Sequence, residues 1–494
     1  MKKIVWSLIA VLVLFFLTSC GVPDSNFDKG FLEPESYNDE SYLEINENPF
    51  VDVLKNPSSY FSLDNSTAGY ANLRRMINSE VSYINPNAVK IEEMINYFTY
   101  DYESPTDDVL NISAGMIDTP WNEETKLVTI GVKAMEVDLT NKKPTNIVLL
   151  LDVSGSMSAP NKLPLLQSAF KLFVESLDDN DVISIVTYAS GDQVLLNGAR
   201  GYEKTRIMAV IEDLEAGGST AGAKGIQTAY EIAKENFIPN GHNRVIIGTD
   251  GDFNVGISST NELKNFISEK RDEEKIYLSV LGFGYGNLKD DKLETLANSG
   301  NGTYAYIDSI TEAKKVLIEE MGGTLNIVSK DTKTKVTFNP KYVKSYRQIG
   351  YENKKLTKEE YEDESTDAGE IGAGHMATAV YEIILNTDDD IESTMDSSWF
   401  NVEISFKDPE TDESKVIQKF FNDKSKLSNN SEDIYFISAV VEFGLILRDS
   451  AYKADADLNS LIARIQDMNS VKNNVYKKEF RELLLKYRNI ISEK

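Results

Sequence analysis

The stretch IVLLLDVSGSM, from Ile147 to Met157, decides how the rest of the chain is read. Ile147 to Leu151 is an unbroken apolar run, which predicts a strand covered on both faces. The run ends abruptly at Asp152. Hydroxyls follow at Ser154 and Ser156, two and four residues beyond the carboxylate.

Outward from this stretch, strand and helix patterns alternate. Leu166, Ala169, Phe170, Phe173, Val174 and Leu177 recur at helical spacing. Strands are expected at 182–188, 244–248, 276–282 and 303–307. Helices are expected at 206–214, 223–237, 261–271, 291–297 and 311–321. Strict alternation of this kind predicts an α/β fold with a doubly wound, mostly parallel sheet. In such sheets ligands sit beyond the carboxyl ends of the strands. Two further loops carry oxygen ligands to that edge. "GGST" ends at Thr220, and "TDGD" places Asp250 after the strand "RVIIG". Two carboxylates and three hydroxyls are hard ligands, the set that Mg²⁺ prefers while keeping some of its waters.

At these residues the chain resembles the von Willebrand factor type A (VWA) family, whose sheet is Rossmann-like, and that family's metal-ion-dependent adhesion site. The resemblance implies that Asp152, Ser154, Ser156, Thr220 and Asp250 hold Mg²⁺, or Mn²⁺ or Ca²⁺ in its place. It implies that the serines and threonine ligate directly and the aspartates often through water. It further implies a protein partner whose Asp or Glu carboxylate completes the shell.

The amino terminus reads as an address. Lys2 and Lys3 precede an apolar run from Ile4 to Leu17 that only Ser7 interrupts. This is the form of a secretory signal, shorter than the roughly 20 apolar residues of a spanning helix. "LTSC" resembles a lipobox, and its Cys20 is the only cysteine in the chain. That resemblance implies lipidation at Cys20 and an extracytoplasmic protein anchored to a cell membrane or outer membrane. Lone Cys20 also excludes an intramolecular disulfide and a cysteine metal cluster. Residues 21–48 are polar and acidic and read as a tether. An EF-hand-like spacing at Asp24, Asn26, Asp28 and Glu35 fails, because its glycine falls one position late.

The chain of 494 residues has a formal net charge of -28, which disfavours nucleic acid and anionic lipid surfaces as partners. Its length suggests about three domains. The expected segments are the signal (1–20), the tether (21–48), an α+β amino-terminal module (49–140), the VWA domain (141–328) and a carboxyl-terminal module (329–494). That last module should be β-rich to about 425 and helical beyond. The stretches from "FSLDNSTAGYANLRRMINSE" to "NAVKIEEMINYF", "DAGEIGAGHMATAVYEI" and "EFGLILRDSAY" resemble the flanking modules of bacterial YfbK-type lipoproteins. That family usually shows two aspartates in the first stretch; here Asp64 is kept and Ser66 stands at the second position. Val128, Ile130 and Val132 alternate with polar residues before the VWA domain, and Phe400, Val402, Ile404 and Phe406 do so after it. Strands from both flanks are expected to pair in one antiparallel sandwich, making the VWA domain an insertion.

No enzyme is expected. Ser154 and Ser156 occupy a strand-to-helix turn, as hydrolase nucleophiles do, but the Gly-x-Ser-x-Gly elbow is missing. The two histidines offer little help: His242 is expected in a solvated loop, and His375 in a glycine-rich turn, hydrogen-bonded inside. A hydrolase using one of these serines, or a structural envelope lipoprotein with a fold-stabilising metal, are the alternatives to a binding or assembly protein.

Overall fold

A computed structural model describes residues 39–81, 83–137, 143–218, 225–251, 260–387, 397–421 and 432–492. Cys20 and Thr220 fall outside them. Before the central stretch come strands β1 (Val51–Asp52), β2 (Ser58–Ser62), β3 (Leu110–Asp118) and β4 (Lys126–Ala134). Next are β5 (Thr145–Asp152), β6 (Val182–Tyr188), β7 (Asp192–Arg200), β8 (His242–Thr249), β9 (Tyr277–Phe283) and β10 (Tyr304–Ile307). After them come β11 (Ile327–Phe338), β12 (Val343–Ile349), β13 (Gly369–Gly372), β14 (Met376–Leu385), β15 (Phe400–Lys407) and β16 (Ser414–Phe421).

The stretch that opens with Ile147 is β5, buried along its whole length. It lies inside a sheet of order β10-β9-β8-β5-β6-β7, parallel except for the β6–β7 pair. Successive side chains of β5 point to opposite faces. Ile147, Leu149 and Leu151 pack with Leu166, Phe170 and Phe173 of the helix Leu163–Glu175. Val148 and Leu150 pack with Ile226, Ala229 and Leu293 from helices on the other face. Each such side chain, fully buried, contributes on the order of 1.5–3 kcal/mol. The fold is therefore α/β and doubly wound, as expected. Asp192–Arg200 was not read as a strand. It is an edge strand whose residues are mostly exposed, Val194 among them, and two register shifts against β6 break the alternation that would mark it.

The flanks build two further sheets. One has the order β1-β12-β14-β4-β3, all antiparallel. One of its pairs joins β4, before the mostly parallel sheet, to β14, after it, from Met376↔Lys133 to Ile383↔Lys126. The other sheet runs β13-β11-β15-β16, with β2 also on β11. Val128, Ile130 and Val132 of β4 share one core with Val336 of β11 and Val402 and Ile404 of β15. The mostly parallel sheet is thus inserted between β4 and β11 of a sandwich that draws strands from both flanks. A helical layer follows. Phe436 and Phe443 of Glu432–Arg448 and Phe480 of Val475–Ser492 pack with Leu73, Met94 and Phe98 from the amino-terminal flank.

Residues 39–48, assigned to the tether from their composition, lie against this body. The Asp39 and Ser41 amides donate to the Gly286 and Leu288 carbonyls at 2.9 and 3.0 Å. Asn48 Nδ2 donates to the Gln348 and Gly350 carbonyls, each at 3.1 Å. Backbone pairing is blind to side-chain acidity, so composition alone could not reveal it.

Candidate cation-binding site

Asp152 ends β5, and Asp250 immediately follows the neighbouring parallel strand β8. Both side chains emerge at the carboxyl edge of the sheet, where the strand order changes direction on either side of β5. Asp152 and Asp250 are fully buried, and Ser154 nearly so. Ser156 is exposed, which leaves the cluster open to solvent at that hydroxyl.

The loop after β5 is organised by its own carboxylate. Asp152 Oδ1 accepts from the Ser154 amide at 2.9 Å, a turn that brings the Ser154 and Ser156 Oγ atoms within 3.0 Å of each other. Asp152 Oδ2 accepts from Tyr188 Oη and Thr249 Oγ1, both at 3.1 Å. These contacts hold both carboxylate oxygens. Burial nonetheless pushes the Asp152 carboxyl above its ordinary range, with the Ser154 bonds pulling it back and the Asp250 charge adding to the rise.

Asp250 has a different environment. Burial raises its carboxyl, but the Lys162 ammonium and Asn287 amide offset this and hold it below the ordinary range. Lys162 Nζ donates to Asp250 Oδ2 at 2.8 Å and to Asn287 Oδ1 at 3.0 Å. Gly251, with φ of 113°, makes the turn out of Asp250; a Cβ there would lie 2.6 Å from the Asn287 carbonyl oxygen.

The third loop is drawn in by backbone bonds. The Gly155 amide donates to the Gly218 carbonyl at 3.1 Å, and the Gly217 amide to the Val153 carbonyl at 2.8 Å. The segment leading to Thr220 is thereby pinned beside Ser154 as far as residue 218. Four of the five residues expected to form the site are described, and the fold brings these four together. Tyr188, Thr249, Lys162 and Asn287 join them without having been singled out. The first two stand at the ends of β6 and β8, where ligand-side residues are to be sought. Lys162 and Asn287 reach the site through tertiary packing that no local pattern announces.

The donor set fits a hard divalent cation. Asp250 Oδ1 is buried and finds no hydrogen-bond partner among the described residues, and a buried acceptor left so costs about 1–3 kcal/mol. Among the described residues no group of three or more His, Cys, Asp or Glu side chains could hold a metal. An ion here would therefore depend on the hydroxyls as well as the two carboxylates.

The histidines lie elsewhere. His242 opens β8 at the end opposite Asp250, half-buried rather than solvated, and burial beside Arg244 pushes its imidazole down to about 4. His375 precedes β14 in the glycine-rich turn. Its Nδ1 is 2.6 Å from Asn65 Nδ2, and its Nε2 is 3.4 Å from the Glu320 carbonyl oxygen. Asp64 pairs with Lys354 at 2.7 Å and accepts from Ser66 Oγ at 2.8 Å. Ser66 therefore serves here as a hydrogen-bond donor to the retained aspartate.

The sheet order and the Asp-x-Ser-x-Ser loop after its central strand define a von Willebrand factor type A protein. The family model described as von Willebrand factor type A domain matches residues 145–306, and one described as von Willebrand factor matches 36–129. The carboxyl-terminal flank, residues 323–490, matches the model described as "Uncharacterized protein YfbK, C-terminal". The chain is 35% identical over 466 residues to Escherichia coli (strain K12) "Uncharacterized protein YfbK", covering 90% of this chain and 80% of that one, and it belongs to the YfbK family. A Synechocystis protein, "Uncharacterized protein sll0103", is 26% identical over 206 residues, which span 41% of this chain and 46% of that protein. Among solved structures, "von Willebrand factor type A from Catenulispora acidiphila" aligns at a TM-score of 0.41 and 17% identity, over 75% of this chain and 88% of that one.

Proposed function

We propose that this protein is a lipid-anchored, extracytoplasmic binding or assembly protein whose VWA domain captures an acidic group on a protein partner through a bound divalent cation. The observation that carries this reading is the buried Asp250 Oδ1 without a partner, beside a carboxylate-and-hydroxyl cluster that opens to solvent at Ser156. Asp152, Ser154, Ser156 and Asp250 would hold the ion, with Thr220 from the adjoining loop. The ion would supply a Lewis-acidic centre for a carboxylate from outside.

The anchor would be lipid on Cys20, the cysteine that closes the LTSC stretch behind the apolar run from Ile4 to Leu17. Cys20→Ser should move the protein from the membrane fraction to the soluble fraction.

Against the hydrolase reading, Ser154 Oγ faces Ser156 rather than a histidine. His242 lies at the far end of β8, roughly 20 Å away at about 3.3 Å per residue.

The test is calorimetric titration of Mg²⁺, then Mn²⁺ and Ca²⁺, into the chain beginning at Gly21, which keeps the whole compact unit from Asp39 onward. Binding that Asp152→Ala abolishes while the fold survives supports the site. Absence of binding in both proteins refutes it. Metal binding with no dependence on acidic ligands would favour a structural ion.

A further inference from the structure

We propose that Lys162 is a resident counter-cation of this site: by neutralising Asp250, it keeps a bound metal ion short of negative charge and so drives it to take a carboxylate from outside. The inference rests on the cation-dependent reading above and concerns how that site is tuned.

The seat of Lys162 is built. The residue is 8% exposed and directly precedes the helix Leu163–Glu175. Its aliphatic stem lies over Gly284, where a Cβ would come within 2.4 Å of the lysine Cγ and 2.5 Å of its Cε. Only a residue without a side chain leaves that channel open. The ammonium at its end meets Asp250 Oδ2 and the neutral Asn287 amide. By contrast, among the described residues the hydrogen bonds to Asp152 come from neutral donors: the Ser154 amide and hydroxyl, Tyr188 and Thr249. The two carboxylates are thus unequal, one paired with a charge and one not.

The charges decide what the site wants. Among the described groups, two carboxylates and one ammonium leave a formal charge of -1. A divalent ion brings this to about +1, and one external carboxylate brings it to neutrality. Without the ammonium, the ion alone would neutralise the site, and an incoming carboxylate would carry it to about -1. Lys162 therefore weakens the hold on the metal and strengthens the loaded site's hold on an acidic partner.

Lys162→Met keeps the stem and removes the charge. It is compared with wild type in the chain beginning at Gly21, using Mg²⁺ calorimetry and then binding of a Gly-Asp-Gly peptide to the Mg²⁺-loaded protein, with Gly-Asn-Gly as control. The expected result is Mg²⁺ binding tighter by about tenfold or more, with the Asp peptide held about tenfold more weakly. Lys162→Arg, which restores a charge, should return both values toward wild type. Lys162→Gln replaces Lys162→Met if circular dichroism shows the latter unfolded. Equal Mg²⁺ affinity in wild type and variant overturns the role of the lysine and leaves the cation site standing. Tighter Mg²⁺ binding with unchanged peptide affinity also overturns it. Absence of Mg²⁺ binding in both overturns this proposal together with the reading on which it rests.

Discussion

Arg74 Nη2 lies 2.5 Å from Asp308 Oδ1, so an arginine of the amino-terminal flank is tied to the residue just after the last strand of the VWA sheet. The same nitrogen is 2.8 Å from Glu312 Oε2, in the helix Ile310–Lys314. Nη1 reaches Glu479 at 3.0 Å and Tyr97 Oη at 2.8 Å. One guanidinium thus joins three parts of the chain. Its planar fork can serve several acceptors at once, which a lysine cannot do.

Removing this arginine should be severe. Arg74→Met leaves Glu312 and Asp308 buried without their main counter-charge, and breaking a buried pair from one side costs about 3–5 kcal/mol. Urea unfolding of the two proteins measures the difference. A loss below about 1 kcal/mol would show that the cluster contributes little to holding the flanks to the VWA domain. Arg74→Lys should recover only part of the loss.

A second prediction concerns the orientation of Asp152. Thr249 Oγ1 and Tyr188 Oη both donate to Asp152 Oδ2. Thr249→Val keeps the shape of β8 and removes one of these donors. Groups that orient a metal ligand typically contribute about 10–100-fold to affinity. Under the proposed function, Mg²⁺ should bind to Thr249→Val about tenfold more weakly while the thermal midpoint changes little. An unchanged dissociation constant would mean that Thr249 plays no part in the site.

Much of this was legible in the chain itself, and the exceptions have physical causes. β5 announces itself because its middle, Ile147 to Leu151, is buried on both faces and apolar at each position. The flank strands show the alternation of half-buried strands, so a sandwich could be expected. The direct partner of β4 is nevertheless β14, in the other segment of the flank from Phe400–Phe406. Alternation specifies a face, not a neighbour. Nothing in the sequence around Lys162 sets it apart from other basic residues. Its buried seat appears only when Gly284 and Asp250, distant in sequence, close around it. The buried pairs of Lys90 with Asp290 at 2.7 Å and Glu294 at 2.8 Å were equally hidden, because charged residues in a sequence read as surface by default.

Stability should also depend on pH through Glu370. It lines a cavity of about 260 Å³ where Ser62 to Ser66, Asn298 to Thr303 and Asp367 to His375 meet. Burial pushes its carboxyl from 4.5 up to about 8, with Arg244 opposing the rise and the Asp367 and Asp331 charges adding to it. Between those values the folded chain keeps a proton that the unfolded chain releases. The stabilisation is therefore complete below the ordinary carboxyl range and is lost as pH rises toward about 8. Glu93, pushed by burial to about 8, acts in the same direction. Glu370→Gln removes the ionisation and keeps an oxygen for the Asn301 amide. Its thermal midpoint should fall less than that of wild type between pH 5 and pH 9. Parallel falls would rule out Glu370 as a contributor.

The insertion architecture makes the last prediction. β4 lies between β3 and β14, so its amides and carbonyls are satisfied on one side by residues nearby and on the other by residues about 250 positions later, from Met376↔Lys133 to Ile383↔Lys126. Its apolar face, Val128, Ile130 and Val132, packs on β11 and β15, which also follow the VWA segment. β5 and β8 need none of these partners, since their sheet closes within residues 145–307. A chain ending at residue 326 should therefore keep slow hydrogen exchange at Val148–Leu151 and Val245–Ile247. It should lose protection at Leu127–Val132, because a two-stranded remnant is marginal in water. Should β4 stay protected in the truncated chain, the amino-terminal flank would be a domain in its own right, and the shared sandwich would be a docking of two finished pieces. Loss at β4 alone would show that the flanks fold only together, which fixes both ends of the VWA domain to one platform.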